Sequence, residues 1–263
     1  MSVDLPVLTL VFMWIAAVLC LAVPFMLMII LKKKGADILP FFIGFAVFLI
    51  FALLIEGLIN YAVSRSAIWP SISANIPLYA FYGGLMAGLF EETGRFLAFK
   101  TVLKRKLGND RNALMYGAGH GGFEAIMLVS VNYITYSVMM ILNSMGVLSK
   151  IMPEDALSQI VPVLDEMLGI APSLILVSVL ERVSAIAAHI AFSVFVWFGA
   201  KNGRKVYLFP AAILLHALYD IAAVMASQYF GLSILAVEGV IAACSVLLVF
   251  AAWRVWKANT VQE

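Results

Sequence analysis

The stretch "GAGHGGFEAI", Gly117 to Ile126, lies inside an apolar run that extends from about 112 to 145. It sets a histidine and a glutamate four residues apart, among four glycines. A run this long crosses a membrane, where ~20 apolar residues suffice. Ionisable groups in such a run are costly, and they are kept only when they face a protein interior or a wet cavity. The stretch therefore points to a bundle of membrane helices with a polar place inside it.

The rest of the chain agrees. Of its 263 residues 64% are hydrophobic and 12% charged, against about 25% charged in ordinary soluble domains. The mean hydropathy is +1.04. Apolar runs fall at roughly 5–31, 37–63, 76–103, 112–145, 171–200, 206–230 and 232–256. The predicted fold is all-α: a polytopic membrane bundle of about seven transmembrane helices, forming a single domain over 1–263. Alternate loops are basic, as in "LKKKG", "KRKLGNDR" and "KNGRK", and Arg254 and Lys257 close the last run. The positive-inside rule then predicts the N-terminus outside and the C-terminus in the cytoplasm. The N-terminus lacks a basic signal region, so its first run is expected to be a permanent span. Segment 146–170 is predicted to be an extracytoplasmic loop. Within it Leu157, Ile160, Val161, Leu164 and Leu168 share one face of an amphipathic helix suited to a membrane interface. The net charge of +2 is too small to suggest nucleic acid. Cys20 and Cys244 both fall in apolar runs and read as packing residues rather than a disulfide or metal pair.

All three histidines, His120, His189 and His216, lie within apolar runs. At 1.5 Å per residue they sit ~14 to ~18 Å from the nearest basic loop residue, and Glu92 sits ~18 Å from Lys104. Four helices thus carry polar groups to one depth, which predicts one site. Arg95 lies four residues after Glu91 and three after Glu92, so it can meet either carboxylate across a turn. His120 and Glu124 are four apart, as are His216 and Asp220. A carboxylate one turn from an imidazole can take its N–H and fix its tautomer. Such a set suits hydrolysis of a peptide bond, which needs an activated water and a proton donor for the leaving amine. Imidazoles with a carboxylate can hold Zn²⁺, with His120, His189 and His216 as candidate ligands. A metal-free mechanism would use glutamate and histidine alone. The same residues could instead belong to a non-catalytic scaffold or chaperone, or to a proton- or metal-coupled transporter. Glu56, Glu238, Glu181 and Arg182 read as helix-packing or water-facing groups. Gly84 and Gly88, like the glycines about His120, permit close helix approach and also leave room for a substrate backbone.

The motifs "EETGR" (91–95), "YGAGHGGFEA" (116–125), "ERVSAIAAH" (181–189) and "HALYD" (216–220) resemble those of the YhfC-like intramembrane peptidases. These belong to the wider superfamily of type II CAAX prenyl proteases and bacteriocin-processing enzymes. The resemblance covers roughly 76–222, the expected catalytic core. Arg95 follows the glutamates one residue sooner than in the wider superfamily, and so faces a different angle. The His189 and His216 pair also resembles one in a distant relative, the multi-span scaffold subunit of gamma-secretase. By resemblance, Glu91 or Glu92 activates water, His120 and His216 bind metal or stabilise the oxyanion, and Asp220 supports His216. His189 and Glu124 suit the YhfC-like branch. The resemblance implies a membrane endopeptidase of a prokaryotic plasma membrane, with zinc as its candidate metal, a membrane protein or lipid-modified peptide as substrate and the bilayer as its surroundings.

Overall fold

A computed structural model describes residues 7–260. All regular structure among the described residues is helical. Eight principal helices are α1 (Val7–Lys33), α2 (Leu39–Ser64), α3 (Ile76–Lys100), α4 (Arg111–Ser144), α5 (Glu154–Gly169), α6 (Pro172–Lys201), α7 (Gly203–Tyr229) and α8 (Ile234–Lys257). Their ends lie within about three residues of the apolar runs. Six of them, α1, α2, α4, α6, α7 and α8, are long and apolar enough to cross a membrane. This is a multi-pass membrane protein. Helix α3 has 25 residues, ~38 Å of rise, but its glutamates, arginine, glycines and tyrosines lower its hydropathy below that of the other six.

Local signals account for several helix ends. Lys32 and Lys33 occupy the last turn of α1, where cations favour the carbonyl end of the helix. Gly35 follows at φ 91°, a left-handed conformation that glycine adopts without a Cβ penalty. Asn75 caps α3 by accepting a hydrogen bond from the Leu78 amide at 3.1 Å, with a proline in the first turn. Pro153 precedes α5, and Glu154 and Asp155 fill its first turn. Three stretches wind as π-helix: Phe48–Glu56 within α2, Ile126–Val131 within α4 and Met225–Tyr229 at the end of α7. Nothing in the periodicity of the sequence marks them.

The described chain divides into two compact units, with boundaries inside α1, α4 and α6. The first holds the described residues up to Val23 together with Ala125–Arg182. Its core joins Met13 and Cys20 of α1, Val129 and Met140 of α4, Leu164 of α5 and Ile175 of α6. Leu157, Ile160 and Leu168 pack against that core, so protein covers most of the apolar face of α5. An apolar stripe does not say whether lipid or protein will cover it. The buried Ser130 hydroxyl donates to the Ala17 carbonyl at 2.7 Å, which satisfies it inside this apolar core.

The second unit holds Pro24–Glu124 and Val183 onward. Glycines bring its helices together backbone to backbone. A Cβ at Gly84 would lie 2.5 Å from the Ala217 carbonyl oxygen, and one at Gly88 2.6 Å from that of Ile213, so α3 lies tight on α7. A Cβ at Gly117 would stand 2.5 Å from Ile190 Cα, and one at Gly121 3.0 Å from His189 Cβ, which seats α4 on α6. Gly44 of α2 meets the backbone of Tyr116 and His120 in the same way. A Cβ under 3.0 Å from backbone would force the helices apart at Gly44, Gly84, Gly88 and Gly117, while Gly121 sits at the tight edge of ordinary contact. A layer of buried rings, including Phe99, Tyr116, Phe192, Trp197 and Phe198, fills the end of the unit nearer Lys100 and Lys201.

At that end the loops are tied by side chains. The Asn112 amide donates to Asp37 Oδ2 at 2.9 Å, and the Asp37 backbone N–H donates to Asn112 Oδ1 at 2.8 Å. Lys106 Nζ donates to Asp37 Oδ1 at 3.0 Å. Lys201 and Trp197 Nε1 both donate to Asp110 Oδ1, at 2.6 and 2.9 Å.

Candidate functional site

The close helix pairs of the second unit bring four polar stretches together. Helix α3 supplies Glu91, Glu92 and Arg95, α4 supplies His120 and Glu124, α6 supplies His189, and α7 supplies His216 and Asp220. Glu91, Glu92, Arg95, His120, His189 and His216 are all buried.

Their pairings cross between helices. His120 Nε2 lies 2.8 Å from Glu91 Oε2. His216 Nδ1 lies 2.8 Å from Glu92 Oε1. His189 Nε2 lies 2.5 Å from Glu124 Oε2, while its Nδ1 faces Arg95 Nη2 at 3.2 Å and Glu91 Oε2 at 3.9 Å. Arg95 Nη1 donates to both oxygens of Glu92. Its guanidinium also lies over the Tyr116 ring, 5.8 Å from the ring centroid. An arginine buried with a carboxylate offsets the cost of taking both charges out of water.

The four-residue spacings on single helices are less decisive than the sequence suggests. Glu124 shares a helical face with His120, yet its carboxylate stands against His189, because Gly117 and Gly121 draw α6 onto that face. His216 and Asp220 do approach, but at 3.6 Å from Nε2 to Oδ2, longer than a hydrogen bond. The nearer partner of His216 is Glu92. Glu91 and Glu92 also part company. The side chain of Glu91 keeps 9% exposure and that of Glu92 none. Glu92 is locked between Arg95 and His216, whereas Glu91 faces the three imidazoles.

Glu91, His189 and His216 each offer one donor atom within 4.8 Å of the others. Two imidazoles and a carboxylate form a nitrogen–oxygen set of the kind that holds a divalent transition metal. Glu92 engages His216 at Nδ1 and Glu124 engages His189 at Nε2; the opposite nitrogens face Asp220 Oδ2 at 3.6 Å and Arg95 Nη2 at 3.2 Å, so an ion held at His189 would take the place of the arginine contact. Carboxylates in that position orient metal-ligating histidines and raise their basicity. The residues present therefore fit a metal. From sequence, His120 is expected beside His189 and His216 as a ligand. In the structure Glu91 stands in the convergent trio and His120 stands behind Glu91. The buried Nδ1 of His120 has no hydrogen-bond partner among the described residues.

Two aromatic contributors were not legible in the sequence. Phe192 stacks on His216 at 4.6 Å between centroids and 14° between planes, and Phe48 meets His120 edge-on at 5.3 Å. Phenylalanine is common throughout this chain, and no spacing singles these two out. Glu181 and Arg182 lie in the first unit and pair with each other.

Comparison with known proteins agrees with this chemistry. The sequence model of a family described as YhfC intramembrane metalloprotease matches residues 19–242. The uncharacterized membrane protein YhfC of Bacillus subtilis (strain 168) is 33% identical over 253 residues, covering 94% of this chain and 97% of that protein. No solved structure matches the chain significantly.

Proposed function

The chain belongs to the YhfC intramembrane metalloprotease family, and from that premise we propose an endopeptidase that hydrolyses a peptide bond of a membrane-associated substrate at the Glu91, His189 and His216 group. The observation that carries this reading is the approach of those three donors to within 4.8 Å, inside a bundle of apolar helices. Packing alone does not require two imidazoles and a carboxylate to aim at one point.

In this reading Glu91, His189 and His216 hold the ion, and Zn²⁺ is the one such donors suit best. When bound, Zn²⁺ acts as a Lewis acid and brings the pKa of water down to ~7. The protein supplies the rest. Glu92, held by Arg95, accepts the His216 Nδ1 proton and fixes that ring. Glu124 does the same for His189 at Nε2. His120 holds Glu91 Oε2 through Nε2 and so orients that ligand. Glu91, the less enclosed of the two glutamates, belongs to the reacting centre, and Glu92 is a positioning residue. The substrate is a membrane protein or a lipid-modified peptide. With α3 counted as a seventh span, the basic loops favour an N-terminus outside, segment 146–170 on the extracytoplasmic side and a C-terminus in the cytoplasm of a prokaryotic cell.

Metal analysis of the purified protein tests the reading. The wild type is expected to carry a divalent ion at about one per chain, and folded His189→Ala and His216→Ala variants are expected to lose it and to stop processing. Glu92→Gln keeps a hydrogen-bond partner for His216 but loses the charge, and is expected to lower processing by roughly 10–100-fold. A metal-free wild type, or normal processing by folded His216→Ala, would refute it.

A further inference from the structure

The surroundings of the site differ sharply along the helix axes. Toward the Lys100 end of α3 the neighbours are rings. Phe99 lies 4.7 Å from Tyr116 and 4.9 Å from Trp197, centroid to centroid, and all three are fully buried. Toward the opposite end the neighbours are polar and partly exposed. Asp220, one turn beyond His216, keeps 34% side-chain exposure. Glu56 closes the π-helical stretch of α2 and lies within electrostatic reach of both His216 and Asp220. Asn60, a turn further, donates to Glu56 Oε1 at 3.2 Å, and the Tyr82 hydroxyl of α3 donates to Asn60 Oδ1 at 2.6 Å.

These groups belong to apolar runs, where lipid cannot solvate them. Carboxylates in such runs are tolerated only where protein or water meets them. Glu56 and Asp220 are neither sealed like Glu92 nor placed at a helix end. Together with Asn60 and Tyr82 they form a polar line that runs from His216 away from the basic loops.

We propose that this line is the entrance: water, and the stretch of substrate to be cut, reach the site along Asp220, Glu56, Asn60 and Tyr82, from the end of the second unit opposite Lys104–Lys106 and Gly203–Lys205. The ring layer keeps the other end dry. With the basic loops in the cytoplasm, the entrance opens to the extracytoplasmic side, and the bond cut lies in the outer half of the membrane. The route for water is independent of the hydrolase reading, and its use by a substrate rests on that reading.

Thiol labelling in intact cells tests the entrance. In a Cys20→Ala, Cys244→Ser background, Asn60→Cys and Tyr82→Cys each place a thiol on the line, and Ser193→Cys places one on the dry side of His189. A membrane-impermeant maleimide added outside is expected to give a single adduct on Asn60→Cys and Tyr82→Cys, and none on Ser193→Cys from either side of the membrane. No adduct on the first two in folded protein, labelling of them from the cytoplasmic side alone, or labelling of Ser193→Cys from the cytoplasm would overturn the proposal. Labelling requires neither metal nor turnover. An absent metal would therefore sink the hydrolase reading without touching this result, and a failed labelling pattern would leave the metal result standing.

Discussion

The ring layer and the polar site are built by the same helices, one or two turns apart. Helix α3 gives Glu91, Glu92 and Arg95 to one and Phe99 to the other. Helix α4 gives His120 and then Tyr116, and α6 gives His189 and then Trp197. The two regions nevertheless answer to different physics. In the ring layer each side chain contributes contact area, and the loss of one leaves a hole. In the polar site each group exists because of a partner on another helix, and the loss of one strands the other. The comparison teaches that burial is a poor guide to tolerance, because the cost depends on what is left behind.

The largest effect is expected at Arg95. Arg95→Met leaves Glu92 buried without its cation, which costs ~3–5 kcal/mol. Thermal unfolding in detergent should show a large loss of stability, and Arg95→Lys should recover only part of it, since one ammonium does not reproduce the reach of the guanidinium to Glu92 and His189. A small loss in Arg95→Met would erase the distinction between the regions. Phe99→Ala comes next, at ~3 kcal/mol for a cavity in the ring layer, with metal content unchanged. Loss of metal in this variant would show that the two regions act as one. Gly117→Ala should cost ~1–3 kcal/mol by overpacking, because the new Cβ meets Ile190 Cα at 2.5 Å. Metal affinity should fall with stability, since α4 and α6 separate at His189.

The smallest effect lies outside both regions. Hydrogen bonds from Asn112, and then from Lys106, hold the Asp37 carboxyl below its ordinary value of 3.8. A carboxyl whose pKa is lowered by folding contributes stability above its unfolded pKa, and that contribution is lost as pH falls through the folded value. Asp37→Asn should therefore lower stability near neutral pH by less than ~1 kcal/mol, because the group is partly exposed, and should make no difference in strong acid. Unfolding curves of both proteins across pH 2–7 check the sign.

The helices were legible because apolar length needs no partner to be read. The shared depth of His120, His189, His216 and Glu92 was legible too, since rise per residue is fixed along any α-helix. The pairings were not. A spacing of four places His120 beside Glu124 on one helix, but which carboxylate an imidazole meets is settled by the neighbouring helix and by how near it comes. That nearness depends on Gly44, Gly88, Gly117 and Gly121, whose partners no single sequence names. The π-helical stretch ending at Glu56 was hidden for a similar reason, as an extra residue per turn leaves no mark on an all-apolar run.

The glycine contacts have a mechanical consequence. Where two helices touch through side chains, rotamers can yield and absorb small movements. Between α4 and α6 at Gly117 the contact is mostly main chain against main chain, with the Ser193 hydroxyl beside it. A displacement of either rod must then be passed on undamped, carrying His120 and His189 together. The two histidines are thus held by a joint of backbone on backbone, and a movement of one helix is a movement of both.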